Sequence, residues 1–442
     1  MSAGAAHPPL NWSQLASRTP RLRRAVRIHR HRYRDQRWYL LRDPVTGQWQ
    51  RLNASAYALI KLLDGRCTLD LARAGTDLDV DEATAVLDAL NRAEMLDWGI
   101  PNDADAMHAR ADANRKRKRL QQVLTPFSIR IPLFDPDRLL SRYAALGRAL
   151  FSLGGGGAAL ALYAVAGVFA FIDWPAISGY WSARGFTHYS LLLIPLVYVV
   201  MKIAHEFAHG LAAKRWGAEV RDMGFVLLLL IPIPYVDTSA AWAFAEKSRR
   251  VAVGAAGILA ELGLAAIATI VFVLVEPGII KDIAYIAMLL GTVSTLLFNG
   301  NPLLRFDGYY VLSDALEIPN LSPRATRYWL YLAERYGFGL TDANSPVAAR
   351  GERGWFLFYG AGSTLYRLGI LFAIALFVAA ELPVLGFALA LSVVTVQLGA
   401  PLVRFGRFLV RSPRLRGLRR RAVGVAGGGF AFTVVVLLAL PM

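Results

Sequence analysis

Seven stretches of predominantly apolar residues constrain this 442-residue chain more than anything else in it. They run from Ala149 to Ile172, Tyr189 to Ala212, Val251 to Val275, Ile279 to Phe298, Trp355 to Ala379, Leu382 to Val403 and Val423 to Leu440. Each is close to the roughly 20 residues that a helix needs to cross the hydrocarbon core of a bilayer. The composition agrees: 55% of residues are apolar and 18% charged, against about a quarter charged in a soluble domain. The expected fold class is therefore an α-helical polytopic membrane protein of about seven spans with a polar front end; the composition excludes a disordered chain and argues against an ordinary soluble enzyme. The net charge of +17 comes from basic residues gathered at the flanks of apolar segments, where an anionic inner leaflet accounts for them and argues against nucleic acid as the partner. The short loops with Lys214, Arg215, Lys247, Arg249 and Arg250, and then Arg404, Arg407 and Arg411 to Arg421, mark the cytosolic side. That pattern expects a multi-pass protein of the cytoplasmic membrane, N-terminus inside and C-terminus outside.

The front end divides into three parts. Residues 1–24 are a tail without the charged, apolar and cleavage regions of a signal peptide. Residues 25–98 read as a small α+β, winged-helix-like cytosolic domain. Arg37-Trp38-Tyr39-Leu40-Leu41 and Trp49-Gln50-Arg51-Leu52 flank the turn signal Asp43-Pro44-Val45-Thr46-Gly47, which predicts a hairpin. Three helices are expected after it, starting near Asn53 or Ser55, at Thr68, and at Asp79 or Asp81, with Gly65 ending the first. Residues 99–148 read as a polar and basic linker, and residues 149–442 as the transmembrane domain. Met223 to Val236 stands apart: fourteen residues with Pro232 and Pro234 near the end are too few to span, so the segment is expected to be re-entrant.

One cysteine, Cys67, supplies no thiolate cage, so any metal must be held by His, Asp or Glu. His205-Glu206-Phe207-Ala208-His209 lies in the second half of the second span. At about 100° per residue, His205 and His209 fall within about 40° of each other on the helix, with Glu206 on the same side. Two imidazoles one turn apart can share one zinc ion, and the glutamate between them can take a proton from water attacking a peptide carbonyl. The alternative is a set of hydrogen-bonded packing residues, but ionisable groups at membrane depth are costly to retain. Lys214 is the first charge beyond the motif, which puts the ligands some 7 to 13 Å inside the helix end. The third ligand must be a carboxylate. Asp307 is the leading candidate, in Asn299-Gly300-Asn301-Pro302-Leu303-Leu304-Arg305-Phe306-Asp307-Gly308, where Gly and Pro break the helix after the fourth span. Glu261, in the middle of the third span, is a rival, and Asp237 reads as a helix N-cap. Asp307 reaches the ion only if Met223 to Val236 turns back, because a spanning segment would leave it about 30 Å away.

The two motifs together, His205 to His209 and Asn301-Pro302 to Asp307-Gly308, resemble those of the site-2-protease family of intramembrane zinc metallopeptidases, in its bacterial branch of peptide zinc metalloproteases. The resemblance covers residues 189–312 and implies a three-span core near the cytosolic face, one zinc ion held by His205, His209 and Asp307, and Glu206 as catalytic base. It also implies that the segment after the first motif, Gly224 to Tyr235, forms a membrane-embedded β-structure that pairs with an extended substrate. Asn299, Asn301 and Glu261 become candidates for substrate contacts or support of the ligands. Gly257-Ile258-Leu259-Ala260-Glu261 departs from the Gly-Pro and Asn of many members. The front domain resembles the peptide-recognition module typified by the pyrroloquinoline-quinone peptide chaperone, through Trp38 to Pro44, Leu52-Asn53, Ala56-Tyr57 and Leu62 to Gly65. That likeness implies a leader peptide added as a strand and packed near Glu82 to Leu96; a generic winged helix, with the basic patch Arg21 to Arg37 serving DNA or a solvated face, is the alternative.

The expected function is a zinc metalloendopeptidase acting on a peptide or membrane-protein substrate in maturation or export of ribosomally made peptides, alongside membrane lipid and an export transporter. A regulated intramembrane protease releasing a membrane-anchored signalling protein is the runner-up. A non-hydrolytic peptide-binding protein of export or immunity is the reading of another class.

Overall fold

A computed structural model of the protein describes residues 12–33, 36–43, 49–93, 95–98, 128–184, 188–228, 231–411 and 417–428. The chain divides into two compact units at Thr295 and Leu296.

The first unit begins with a small module: α1 (Trp12–Leu15), β1 (Arg21–Leu22), β2 (Arg27–Tyr33), β3 (Gln36–Arg42), β4 (Trp49–Leu52), α2 (Ala54–Lys61), α3 (Leu69–Ala74), α4 (Val80–Arg92) and β5 (Leu96–Asp97). The expected hairpin is β3 with β4, in register from Tyr39 opposite Leu52 to Arg42 opposite Trp49; its turn, 44–48, lies outside the described residues. Helix starts follow local capping chemistry. The Asn53 side chain accepts from the Ala56 amide at 2.8 Å, and Asp79 with Glu82 forms a capping box. Gly65 takes φ +84° just after α2, a left-handed turn that suits glycine. Leu41, Leu59, Leu69, Leu87, Leu90 and Met95 are fully buried between sheet and helices.

Strand β2 was not expected. Its basic residues read as a patch, yet it pairs along its whole length with β3. The usual alternation is inverted, because the covered positions are His29 and His31 while Ile28 is exposed. His31 is 5% exposed and packs near the Ala243 backbone and the Arg250 guanidinium of the membrane core. Burial first, then the Arg250 and Arg51 charges and His29, lower its pKa from 6.5 to about 4. The folded protein therefore refuses a proton that the unfolded chain accepts. Stability contributed by neutral His31 is present above pH 6.5 and is lost as pH falls towards 4, by up to about 3 kcal/mol. His31→Phe, which cannot titrate, is expected to flatten that part of the pH dependence of thermal unfolding; an unchanged profile would disprove the assignment.

The membrane core follows: β6 (Ser128–Phe134), α5 (Asp137–Arg142), α6 (Ala144–Leu150), α7 (Leu153–Ile172), α8 (Trp174–Arg184), α9 (His188–Arg215), β7 (Met223–Leu228), β8 (Ile231–Val236), a 3-10 turn at Ser239–Ala243, α10 (Lys247–Leu274) and α11 (Ile279–Leu289). The π-helical stretch Leu290–Asn299 prolongs α11. Within the segment Met223 to Val236, β7 and β8 pair antiparallel, with Met223 opposite Val236 and Leu228 opposite Ile231; residues 229–230 lie outside the described residues.

The reading of 99–148 as a linker needs correction at its end. Residues 99–127 lie outside the described residues, but β6 adds to β7 as a third strand, giving the order β6-β7-β8. Pro132 and a register shift between Pro132 and Phe134 hide the strand from a period-two reading. Gly224 permits the pairing, since a Cβ there would run into the Ile131 carbonyl. Behind the sheet, α5 and α6 clasp the C-terminal end of α9. Both Asp137 oxygens accept from Lys214 Nζ at 2.7 Å, and Asp137 Oδ1 also accepts from the Val220 amide at 3.0 Å.

The second unit holds α12 (Asp307–Ala315), α13 (Leu321–Leu332), α14 (Glu352–Glu381), α15 (Pro383–Val393) and α16 (Ala400–Arg411). Its core is Tyr309, Ile318, Leu321, Ala325, Tyr328, Phe356 and Tyr359. Buried Glu352 ties α13 to α14, accepting from Arg324 at 2.5 Å and from the Ala348 amide at 2.7 Å.

Among the described residues, five helices are long and apolar enough to cross a membrane: Leu153–Ile172, Leu192–Arg215, Lys247–Leu274, Ile279–Asn299 and Glu352–Ala380. They match the first five expected spans. The sixth meets a shorter apolar helix, Pro383–Gln397. Of the seventh, residues 423–428 are helical and the rest lies outside the described residues.

Candidate metal centre

Helix α9 packs against α10 and β8, and its inward face carries the His-Glu-His motif. His205 and His209 are 4% and 7% exposed. Their Nε2 atoms stand 3.0 Å apart, close to the roughly 3.3 Å that separates two nitrogens bonded to one tetrahedral zinc at about 2.0 Å. The rings are oriented from behind. His209 Nδ1 lies 2.7 Å from the Val253 carbonyl of α10; a carbonyl can only accept, so Nδ1 carries the proton and Nε2 presents its lone pair. His205 Nδ1 lies 3.1 Å from Glu261 Oε1.

Space for an ion is set by α10. Gly257 sits opposite the ring edges, and a Cβ there would lie 2.5 Å from His209 Nε2 and closer still to His205 Nε2 and Cε1. Asp307 opens α12, half-buried, and Gly308 after it lets the backbone press against the Gly300 carbonyl, where a Cβ would collide. Asp307 belongs to the second unit, and its carboxylate enters the ligand set as the proposed third donor. No family model, curated protein or solved structure matches the chain significantly. The donor set must therefore speak for itself. Two deprotonated imidazole nitrogens and a carboxylate fit zinc, which takes nitrogen and oxygen ligands in a four-coordinate site with room for water.

Glu206 is half-buried beside the histidines, and its Oε2 accepts from the Val236 amide at 2.9 Å. The last residue of β8 therefore orients the carboxylate. The other candidates separate by position. Glu261 is not in the ligand group, because its carboxylate meets the back of the His205 ring. Asp237 accepts from the Ser239 amide at 3.0 Å at the start of the 3-10 turn, the capping role expected of it. Asn301 accepts from the Leu303 amide at 2.9 Å and braces the turn before Asp307, while Asn299 is buried at the end of the π-helical stretch.

Lys202, Val253, Gly257 and Thr295 also shape the site and are not among the residues expected from the sequence. A lysine inside an apolar span, three residues before His205 and so on the same helical face, was the available signal for the first. Val253 acts through its carbonyl and carries none.

Proposed function

We propose that the protein is an intramembrane zinc metalloendopeptidase that cuts peptides near the cytosolic face of the cytoplasmic membrane. The observation that carries this reading is the pair of facing imidazole nitrogens, held from behind by Val253 and Glu261, with Glu206 beside them. The group fits the zinc site implied by the resemblance to site-2 proteases.

His205, His209 and Asp307 would hold the ion, which when bound supplies Lewis acidity to the scissile carbonyl and the attacking water. Glu206 takes a proton from that water and returns it to the departing amine. The Val236 amide holds one Glu206 oxygen, which sets the direction of the other. A substrate must be extended, because a helix keeps its carbonyls hydrogen-bonded, and the β6-β7-β8 sheet beside α9 suits strand pairing. The front module fits a peptide-capturing role, with leader-bearing precursors as substrates and an export transporter as partner. One observation favours the regulatory reading: His31 rests against the segment between β8 and α10, so the module sits where it could govern access to the site.

Metal analysis of the purified full chain tests the proposal. One zinc per chain is expected, falling to a trace in His205→Ala and in Asp307→Asn with thermal unfolding still cooperative. A metal-free wild type, or zinc retained by both variants, would end it.

A further inference from the structure

Resting on the zinc reading, we infer that Lys202, Glu261 and Thr295 form an ionic support that positions His205 and sets the strength of its hold on the metal. Lys202 Nζ donates to Glu261 Oε1 at 2.5 Å, and the two side chains are only 11% and 3% exposed. Thr295, fully buried, donates to the other carboxylate oxygen. The same Oε1 that takes the lysine faces His205 Nδ1 at 3.1 Å.

A buried ion pair between two apolar helices is an expensive way to join them, since its desolvation cost rivals its attraction and an apolar pair of similar volume packs as well. The carboxylate's place behind the imidazole gives the expense a purpose. Glu261 lies one helical turn beyond Gly257, so α10 presents first a gap for the rings and then a charge behind one of them. A carboxylate on the distal nitrogen fixes the tautomer and ring angle of a metal-binding histidine and raises its basicity. Lys202 and Thr295 each donate to one oxygen of that carboxylate and so hold it in place. His209 has a backbone carbonyl in the corresponding place, so the two ligands differ: only the grip of His205 depends on side chains that substitution can remove.

The test uses the detergent-solubilised full chain and zinc competition against a chelating dye. Lys202→Met with Glu261→Leu removes both charges together and leaves no lone ion buried. It is expected to fold and to bind zinc about 10- to 100-fold more weakly. Lys202→Met with Glu261→Gln keeps an acceptor behind His205 and should recover part of that loss; it is also the variant to measure if the first does not fold. With cobalt in place of zinc, the visible spectrum should shift in the Leu variant, which mere loosening of helix packing far from the ion would not cause. Zinc affinity within about threefold of wild type in both variants, with unshifted cobalt spectra, would overturn the inference and leave the zinc site standing. A wild type that binds no zinc would remove the functional reading itself.

Discussion

Glu206→Gln is expected to keep its zinc and lose its peptidase activity. The amide is nearly isosteric with the carboxylate, and its carbonyl oxygen can still accept from the Val236 amide, which meets Glu206 Oε2 at 2.9 Å. The ligand atoms of His205, His209 and Asp307 are not touched, so metal content should equal wild type. What disappears is the proton acceptor, because an amide has no basicity near neutral pH. General-base assistance is worth about 10²- to 10⁴-fold, and turnover should fall by at least that range. The measurement is single-turnover cleavage of a peptide that wild type cuts, with zinc quantified in the same sample. Full activity in the Gln variant would show that Glu206 is not the base, whatever the metal does.

Gly257→Ala is expected to cost the metal without costing the fold. A methyl group there would stand 2.5 Å from His209 Nε2 and nearer to His205, well inside van der Waals contact, and on the side of the rings where the ion must sit. The helix itself gains from the change, since alanine is favoured over glycine by about 1 kcal/mol in a helix interior, and overpacking typically costs about 1 to 3 kcal/mol. The rings have to turn, and both are fixed from behind, by Val253 and by Glu261. Zinc affinity should therefore drop by about 100-fold or more, the effect of disturbing two ligands together. Gly263→Ala, on the same helix with nothing within 4 Å of its Cβ position, is the control and should bind zinc as wild type does. Normal zinc in Gly257→Ala would place the ion elsewhere than between the two Nε2 atoms.

The apolar spans, the starts of α2 and α4, the hairpin β3–β4 and the facing of His205 and His209 all follow from rules that act within a few residues: apolar length, capping by Asn53 and Asp79, and four-residue helical spacing. Such features are legible in the sequence because their causes are local. β2 was hidden because histidines fill its covered positions, and β6 because Pro132 and a register shift break its alternation. Glu261 could not be assigned from spacing, since ligand and support differ only in which nitrogen of His205 the carboxylate meets. Gly257 looked like one small residue among many until α10 was laid against the histidine rings. Tautomers and the gap for an ion depend on how separate helices are rotated and offset against one another. Many weak packing contacts summed over the whole fold set those rotations, and no short stretch of residues contains them.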